Sequence, residues 1–156
     1  MEIRTNNRQK KFKIHPQAIE FLCVQLLAAE SQNENCELDL SIVDDEEIEK
    51  LNVEYLHHEG PTDVISFSQR ENICDYDDQE TAQLGDVVVS ADRALEQSKS
   101  FNTNFNDEFG LYIIHGILHL LGYDDIEDEK KFIMEKQQDL WFNTILKKNN
   151  LVLISI

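Results

Sequence analysis

His115 and His119 stand four residues apart in the stretch His115-Gly116-Ile117-Leu118-His119-Leu120-Leu121-Gly122-Tyr123-Asp124-Asp125, a spacing of H-x-x-x-H-x-x-G-x-x-D. Two histidines at that interval on a helix present their imidazoles from one face, one turn apart. Gly122 suits the left-handed conformation that ends a helix, so the chain turns back just after the second histidine. The return brings a carboxylate, Asp125 or its neighbour Asp124, toward the same point. Three protein ligands with room left for water is the arrangement of a catalytic zinc ion.

Either histidine alone would read more readily as a structural side chain in an apolar helix. Together with the glycine and the carboxylate, the spacing is hard to explain by packing and points to a metal. His57 and His58 are adjacent, precede Gly60 and share no register with the cluster, so they are expected in an exposed loop. Metzincin proteases carry a similar pattern, H-E-x-x-H-x-x-G-x-x-H, in which the glutamate is the general base. Here that position is Gly116, which has no side chain, and the third ligand is an aspartate. Peptidase chemistry is therefore disfavoured, and the added negative charge makes bound water less acidic than a third neutral ligand would.

The chain has 156 residues, 41% of them apolar and 8% aromatic, which fits a single domain spanning residues 1–156 around one core. Cys23, Cys36 and Cys74 are odd in number with no C-x-x-C spacing, so they read as reduced thiols of a cytoplasmic protein. No signal-peptide stretch and no run of about 20 apolar residues occurs, so no membrane partner is expected. A formal net charge of -17 opposes loose binding to DNA, RNA or anionic lipid, and any RNA contact must be local. The charge is uneven: Arg4, Arg8, Lys10, Lys11 and Lys13 open the chain with only Glu2 against them, a solvated edge strand and turn or a phosphate contact.

Around the histidine stretch, the pattern predicts the elements that must position it. Residues 15–31 have helical spacing through Ile19, Leu22, Cys23, Leu26 and Leu27, with Pro16 at a first helical position. Leu38, Leu40 and Ile42 alternate as a strand, and Asp44 to Glu47 open an acidic helical turn running through Tyr55. After the Gly60-Pro61 break, Thr62 to Phe67 reads as a strand, Gln69 to Gln83 as polar loop and Leu84 to Val89 as the most apolar strand. Asp75, Asp77, Asp78 and Glu80 lack the framing of a calcium loop and read as solvated. Ser90 or Asp92 caps a helix toward Phe101. The histidine helix starts at Asn106-Asp107-Glu108 and is apolar nearly all round, hence buried. A last helix from about Glu127 carries Phe132, Ile133, Leu140, Trp141 and Ile145, and Leu151 to Ile154 forms a packed tail. The expected class is α/β (α+β): a small mixed sheet of about four strands with helices on its faces.

With those residues in view, the chain resembles the YbeY family of metal-dependent endoribonucleases, also called rRNA maturation factors. The family motif H-G-x-L-H-L-x-G-Y-D-H matches His115 through Asp124 and differs at its last position, where Asp125 replaces histidine. A second signature, L-N-x-x-Y-R followed by P-T-D-V-L-S-F, is present as Leu51-Asn52-Val53-Glu54-Tyr55-Leu56 and then Pro61 through Phe67, and the L-G-D-I strand as Leu84-Gly85-Asp86-Val87. The resemblance implies one zinc ion on His115, His119 and Asp125, in a cleft beside the sheet, with Asp124 in an outer or alternate role. It also implies action on single-stranded RNA, in 16S rRNA 3′-end maturation and ribosome quality control, with ribosomal RNA and the small ribosomal subunit as partners. Thr62, Asp63, Ser66, Gly85 and Asp86 match its strand motifs and are the possible substrate cleft, although Asp63 and Asp86 read equally as strand-end hydrogen-bond acceptors.

The catalytic residue is unknown, because Leu56 occupies the position of the family's arginine and cannot grip a phosphate as a guanidinium does. Either Arg70, Arg93 or the Lys10-Lys11-Lys13 group takes over that contact, or the protein is a weak or inactive nuclease acting as a metal-stabilised ribosome-assembly binding factor. A metallopeptidase is a distant third reading.

Overall fold

The computed structural model describes residues 1–32, 34–56, 63–69 and 82–156. Strands are β1 (Glu2–Asn7), β2 (Lys13–Ile14), β3 (Cys36–Val43), β4 (Val64–Ser68), β5 (Ala82–Ser90) and β6 (Ile154–Ser155). Helices are α1 (Pro16–Ala29), α2 (Asp45–Leu56), α3 (Ala91–Ser100), α4 (Phe105–Leu120) and α5 (Asp128–Trp141), the last continuing into a π-helical turn, Phe142–Lys147. A four-stranded sheet has the order β1-β3-β5-β4, and β2 pairs with β6 in a separate antiparallel ribbon. The sheet is mixed: β1 and β5 run parallel to β3, while β4 runs antiparallel to β5 along the edge.

Alternation along the strands assigns the two faces. Leu38, Leu40, Ile42, Val87 and Val89 point to the larger core, which is closed by Ile19, Leu22 and Leu26 of α1, Ala94 of α3, and Ile113, Ile114 and Ile117 of α4. Val43, Ile65 and Val88 point the other way, onto Ile48 of α2. α4 is buried along most of its length because it is apolar on nearly every side, as the pattern predicts. Gly110 lets it approach the π-helical turn, since a Cβ there would lie 2.6 Å from Leu146 Cδ2.

Several local expectations shift. α4 begins at Phe105, one residue early, because Asn104 supplies the cap by accepting from the Asp107 N–H at 3.2 Å. β5 begins two residues before Leu84, and β4 begins at Val64 among the described residues. The α5 residues Phe132 (56% exposed), Ile133 (51%) and Leu140 (44%) lie outward, and only Met134 of that helix is buried. Helical periodicity correctly marks a helix here, but α5 rests on α4 along a narrow seam that takes Met134 and leaves the wider apolar stripe outside.

The basic opening forms an edge strand whose cations are mostly engaged within the chain. Arg4 Nε donates to Asp39 Oδ1 at 2.6 Å, Arg8 pairs with Glu47 at 2.7 Å and Lys11 with Asp92 at 3.0 Å. No helix among the described residues is long and apolar enough to cross a membrane. Cys23 and Cys36 are buried, and burial pushes the Cys23 thiol up to about 12. Cys74, His57, His58, the Gly60-Pro61 break and the acidic stretch from Asp75 to Glu80 lie outside the described residues.

Candidate metal centre

α4 delivers both histidines one turn apart, and the turn that follows delivers the carboxylate. Gly122 has φ +100°, with its N–H donating to the His119 carbonyl at 3.1 Å and the Tyr123 N–H to the Leu118 carbonyl at 3.0 Å. This pair of bonds ends the helix in a left-handed glycine turn and satisfies two carbonyls of its last turn. Asp124 Oδ1 accepts the Ile126 N–H at 2.9 Å, which tightens the return and leaves Asp125 to face the histidines.

His115 Nε2 and His119 Nε2 are 3.0 Å apart, and Asp125 Oδ2 lies 3.6 Å and 3.5 Å from them. A triangle of those sides has a centre about 2 Å from each corner, the length of a bond from nitrogen or oxygen to a first-row divalent cation. The other ring nitrogens are committed: His119 Nδ1 faces the Tyr123 carbonyl at 3.1 Å and His115 Nδ1 faces Gln138 Oε1 at 2.9 Å. Both partners are acceptors, so each Nδ1 carries the proton and each Nε2 presents a lone pair to the other. Three lone-pair donors converging this closely repel one another unless a cation stands among them, and this donor set fits a metal ion. Asp125 is about two-fifths exposed and the two rings about one-third, so the centre opens to solvent.

A cleft of about 380 Å³ adjoins the centre, lined by Val64, Ile65, Ser66 and Ser68 of β4 with His119 and Leu120 of α4. Ser66 Oγ donates to the Gly116 carbonyl at 2.8 Å and ties the edge strand to the histidine helix. A Cβ on Gly116 would lie 2.5 Å from Val87 Cγ1 and 3.0 Å from Val64 Cγ2. The position after the first histidine therefore faces the sheet, and a side chain there would meet β4 and β5 rather than the metal ligands. Gly85, at φ +138°, lets β5 pass beneath β4, where a Cβ would lie 2.1 Å from the Phe67 carbonyl oxygen.

The strand-motif residues separate. Ser66 lines the cleft and Gly85 lies under its floor, while Asp63 stands at the entrance to β4, accepting the Ser90 N–H through its carbonyl at 3.0 Å. Asp86 pairs in register with Asp39 and Phe67, on the sheet face opposite α4. Burial and the Asp39 charge raise its carboxyl above the usual aspartate range. Thr62 and Arg70 lie outside the described residues, and Leu56 is the last residue of α2. Arg93 sits in the first turn of α3 with Nη1 on Glu96 at 3.0 Å, while its Nε and the Tyr112 hydroxyl are buried with no hydrogen-bond partner among the described residues. Sequence reasoning missed Gln138: it is 23 residues from His115, with no spacing rule linking a glutamine on one helix to a histidine on another.

A helix carrying two histidines and a returning carboxylate, with an edge-strand cleft beside them, forms a group that could hold a metal ion, the kind of centre found in metal-dependent hydrolases. The comparisons specify the family. The family model described as Endoribonuclease YbeY matches residues 4–146. The Endoribonuclease YbeY of Clostridium beijerinckii is 36% identical, with 96% of this chain and 98% of that protein covered. That of Clostridioides difficile is 38% identical, with 90% and 94% covered. The solution structure of TM1509 from Thermotoga maritima superposes with a TM-score of 0.66 at 25% identity, covering 95% of this chain and 91% of that one. The chain belongs to the YbeY endoribonuclease family.

Proposed function

We propose that this protein is a single-strand-specific endoribonuclease that holds one zinc ion on His115, His119 and Asp125 and acts in 16S rRNA 3′-end maturation and ribosome quality control. The observation that carries the reading is the convergence of His115 Nε2, His119 Nε2 and Asp125 Oδ2 beside an open cleft, in a chain whose relatives are named endoribonucleases. Two imidazoles and one carboxylate match zinc in ligand type and number, with a position left for substrate. The ion, when bound, supplies Lewis acidity toward a phosphoryl oxygen.

The chain's own residues prepare that step. Gln138 and the Tyr123 carbonyl keep both Nδ1 atoms protonated, so both Nε2 atoms point at one place. Asp125 sets its charge against the ion and leaves the cleft side open. Among the described residues β4 is the sheet edge, a side along which an extended strand could lie, and the cleft is a shallow opening at the surface rather than a closed chamber. A single strand can lie along that edge, whereas a duplex would have to bring a second backbone against a protein of net charge -17. Partners on this reading are ribosomal RNA and the small ribosomal subunit, in the cytoplasm.

The binding-factor reading draws on one observation of its own: the described residues lining the cleft include no lysine or arginine, and Leu56 stands where the family motif has arginine. One assay separates the two. Zinc-loaded protein and His119→Ala are incubated with single-stranded and duplex RNA of the 16S 3′ end, with circular dichroism to confirm the fold. Zinc-dependent cleavage of the single strand, lost in the variant, is the expected result. RNA binding without cleavage in both proteins would favour the assembly factor.

A further inference from the structure

His119 is aimed by Tyr123 and His115 by Gln138 of α5, and both lines of support meet at one carboxylate. Glu30 closes the C-terminus of α1. Its Oε2 accepts the Tyr123 hydroxyl at 2.9 Å, and its Oε1 accepts Trp141 Nε1 at 2.7 Å and Gln137 Nε2 at 3.2 Å. Gln137 Nε2 also donates to the Tyr123 hydroxyl oxygen at 3.2 Å. One side chain thus gathers donors from the turn after α4 and from two successive turns of α5, 93 to 111 residues away in the chain. Each donor belongs to, or flanks within one helical turn, a residue that holds a histidine. Tyr123 supplies the carbonyl on His119 Nδ1, and Gln138, the acceptor on His115 Nδ1, lies between Gln137 and Trp141 on α5.

We propose that Glu30 is a positioning residue for the metal centre: through Tyr123 and through the seat of α5, it fixes the ring orientation and tautomer of both His119 and His115. The proposal rests on the metal reading above and adds to it a carboxylate that touches neither ligand. Its physical basis is that a charged acceptor holds neutral donors more firmly than a neutral one does. With three donors on one carboxylate, the Tyr123 turn and α5 are locked to α1 and to each other. Loosening that lock lets each imidazole rotate or exchange tautomers, and a metal site is sensitive to such outer contacts at about ten- to a hundredfold in affinity.

The test uses the full chain with Glu30→Gln, which keeps shape but loses the charge, and Tyr123→Phe, which loses only the hydroxyl. Imidazole nitrogen NMR of metal-free protein at pH 8 reads the tautomers directly. Wild type is expected to show Nδ1–H on both His115 and His119, and Glu30→Gln a mixture at both. Zinc titration should then show at least about tenfold weaker binding in Glu30→Gln. Tyr123→Phe should weaken binding too, and the double variant should lose less than the two single losses combined, because both act along one path. Fluorescence of Trp141, the sole tryptophan, reports whether its partner has changed. Folded Glu30→Gln with wild-type tautomers and wild-type zinc affinity would overturn the proposal. Should Glu30→Gln fail to fold, the decision passes to Tyr123→Phe, whose unchanged His119 tautomer and affinity would overturn it. Should wild type itself bind no zinc, the metal reading fails while the tautomer comparison still decides the role of Glu30.

Discussion

At the residue scale, Gly116 shows how packing selects a residue that chemistry alone would not explain. It replaces the glutamate of a metalloprotease signature, and the fold accounts for the change: the position looks into Val87, Val64 and Ser66. Gly116→Ala is expected to destabilise by about 1–3 kcal/mol through overpacking, measured by urea unfolding, with the larger Gly116→Glu failing to create a peptidase. Asp86 carries a different expectation. Its folded carboxyl titrates above its ordinary value of 3.8 because burial and Asp39 disfavour the charge, so ionised Asp86 lowers stability at neutral pH, and that penalty fades as pH falls through the raised value. Asp86→Asn should therefore raise the melting temperature at pH 7 and leave any RNA cleavage intact, because Asp86 is on the far face of the sheet. A loss of cleavage with an unchanged melting temperature would place it in the site after all. Asp39 runs the opposite way: the Arg4 guanidinium holds its carboxyl below the usual range, so the stability it adds is present above 3.8 and lost below the lowered value.

At the element scale, most of the fold could be read from pattern, and the exceptions have causes. Amphipathic spacing located α1 and α2, and the unbroken apolar run located α4, because burial on one side or on all sides leaves its mark within a few turns of chain. The Gly122 turn was legible because a left-handed φ strongly favours glycine. The strand order was not legible, since parallel pairing of β1 with β3 and β5 depends on contacts across whole crossovers. Gln138, Glu30 and the outward turn of Phe132 and Ile133 share that difficulty: each depends on how α5 docks, which no local periodicity encodes. Ser90 shows local and distant roles on one atom. Its buried hydroxyl oxygen caps α3 by accepting the Arg93 N–H at 3.1 Å and donates to Asp45 Oδ1 of α2 at 2.7 Å. Ser90→Ala is expected to cost about 1–2 kcal/mol, seen as a lower urea midpoint with an unchanged slope.

For the whole molecule, charge sets the terms on which RNA can be approached. Of the cations in the opening strand and turn, Arg4, Arg8 and Lys11 are held by internal carboxylates. With three of the five opening cations so held, the affinity for single-stranded RNA should fall only shallowly as salt rises, a log–log slope of about -2 or smaller in magnitude. Filter binding between 50 and 300 mM salt checks this, and a slope steeper than about -4 would mean that a basic surface beyond the described cleft takes part.

The three proposed ligands fall within eleven consecutive residues, while Glu30 comes long before them and Gln138 after. The stretch is therefore complete in sequence before the helix that orients His115, while His119 already has its partner in Tyr123. On the proposed metal reading, a chain whose α5 has not docked would hold an ion only loosely, because His115 lacks its outer partner. On that reading, firm holding of an ion is set by the docking of the C-terminal helix against Glu30 rather than by the appearance of the three side chains.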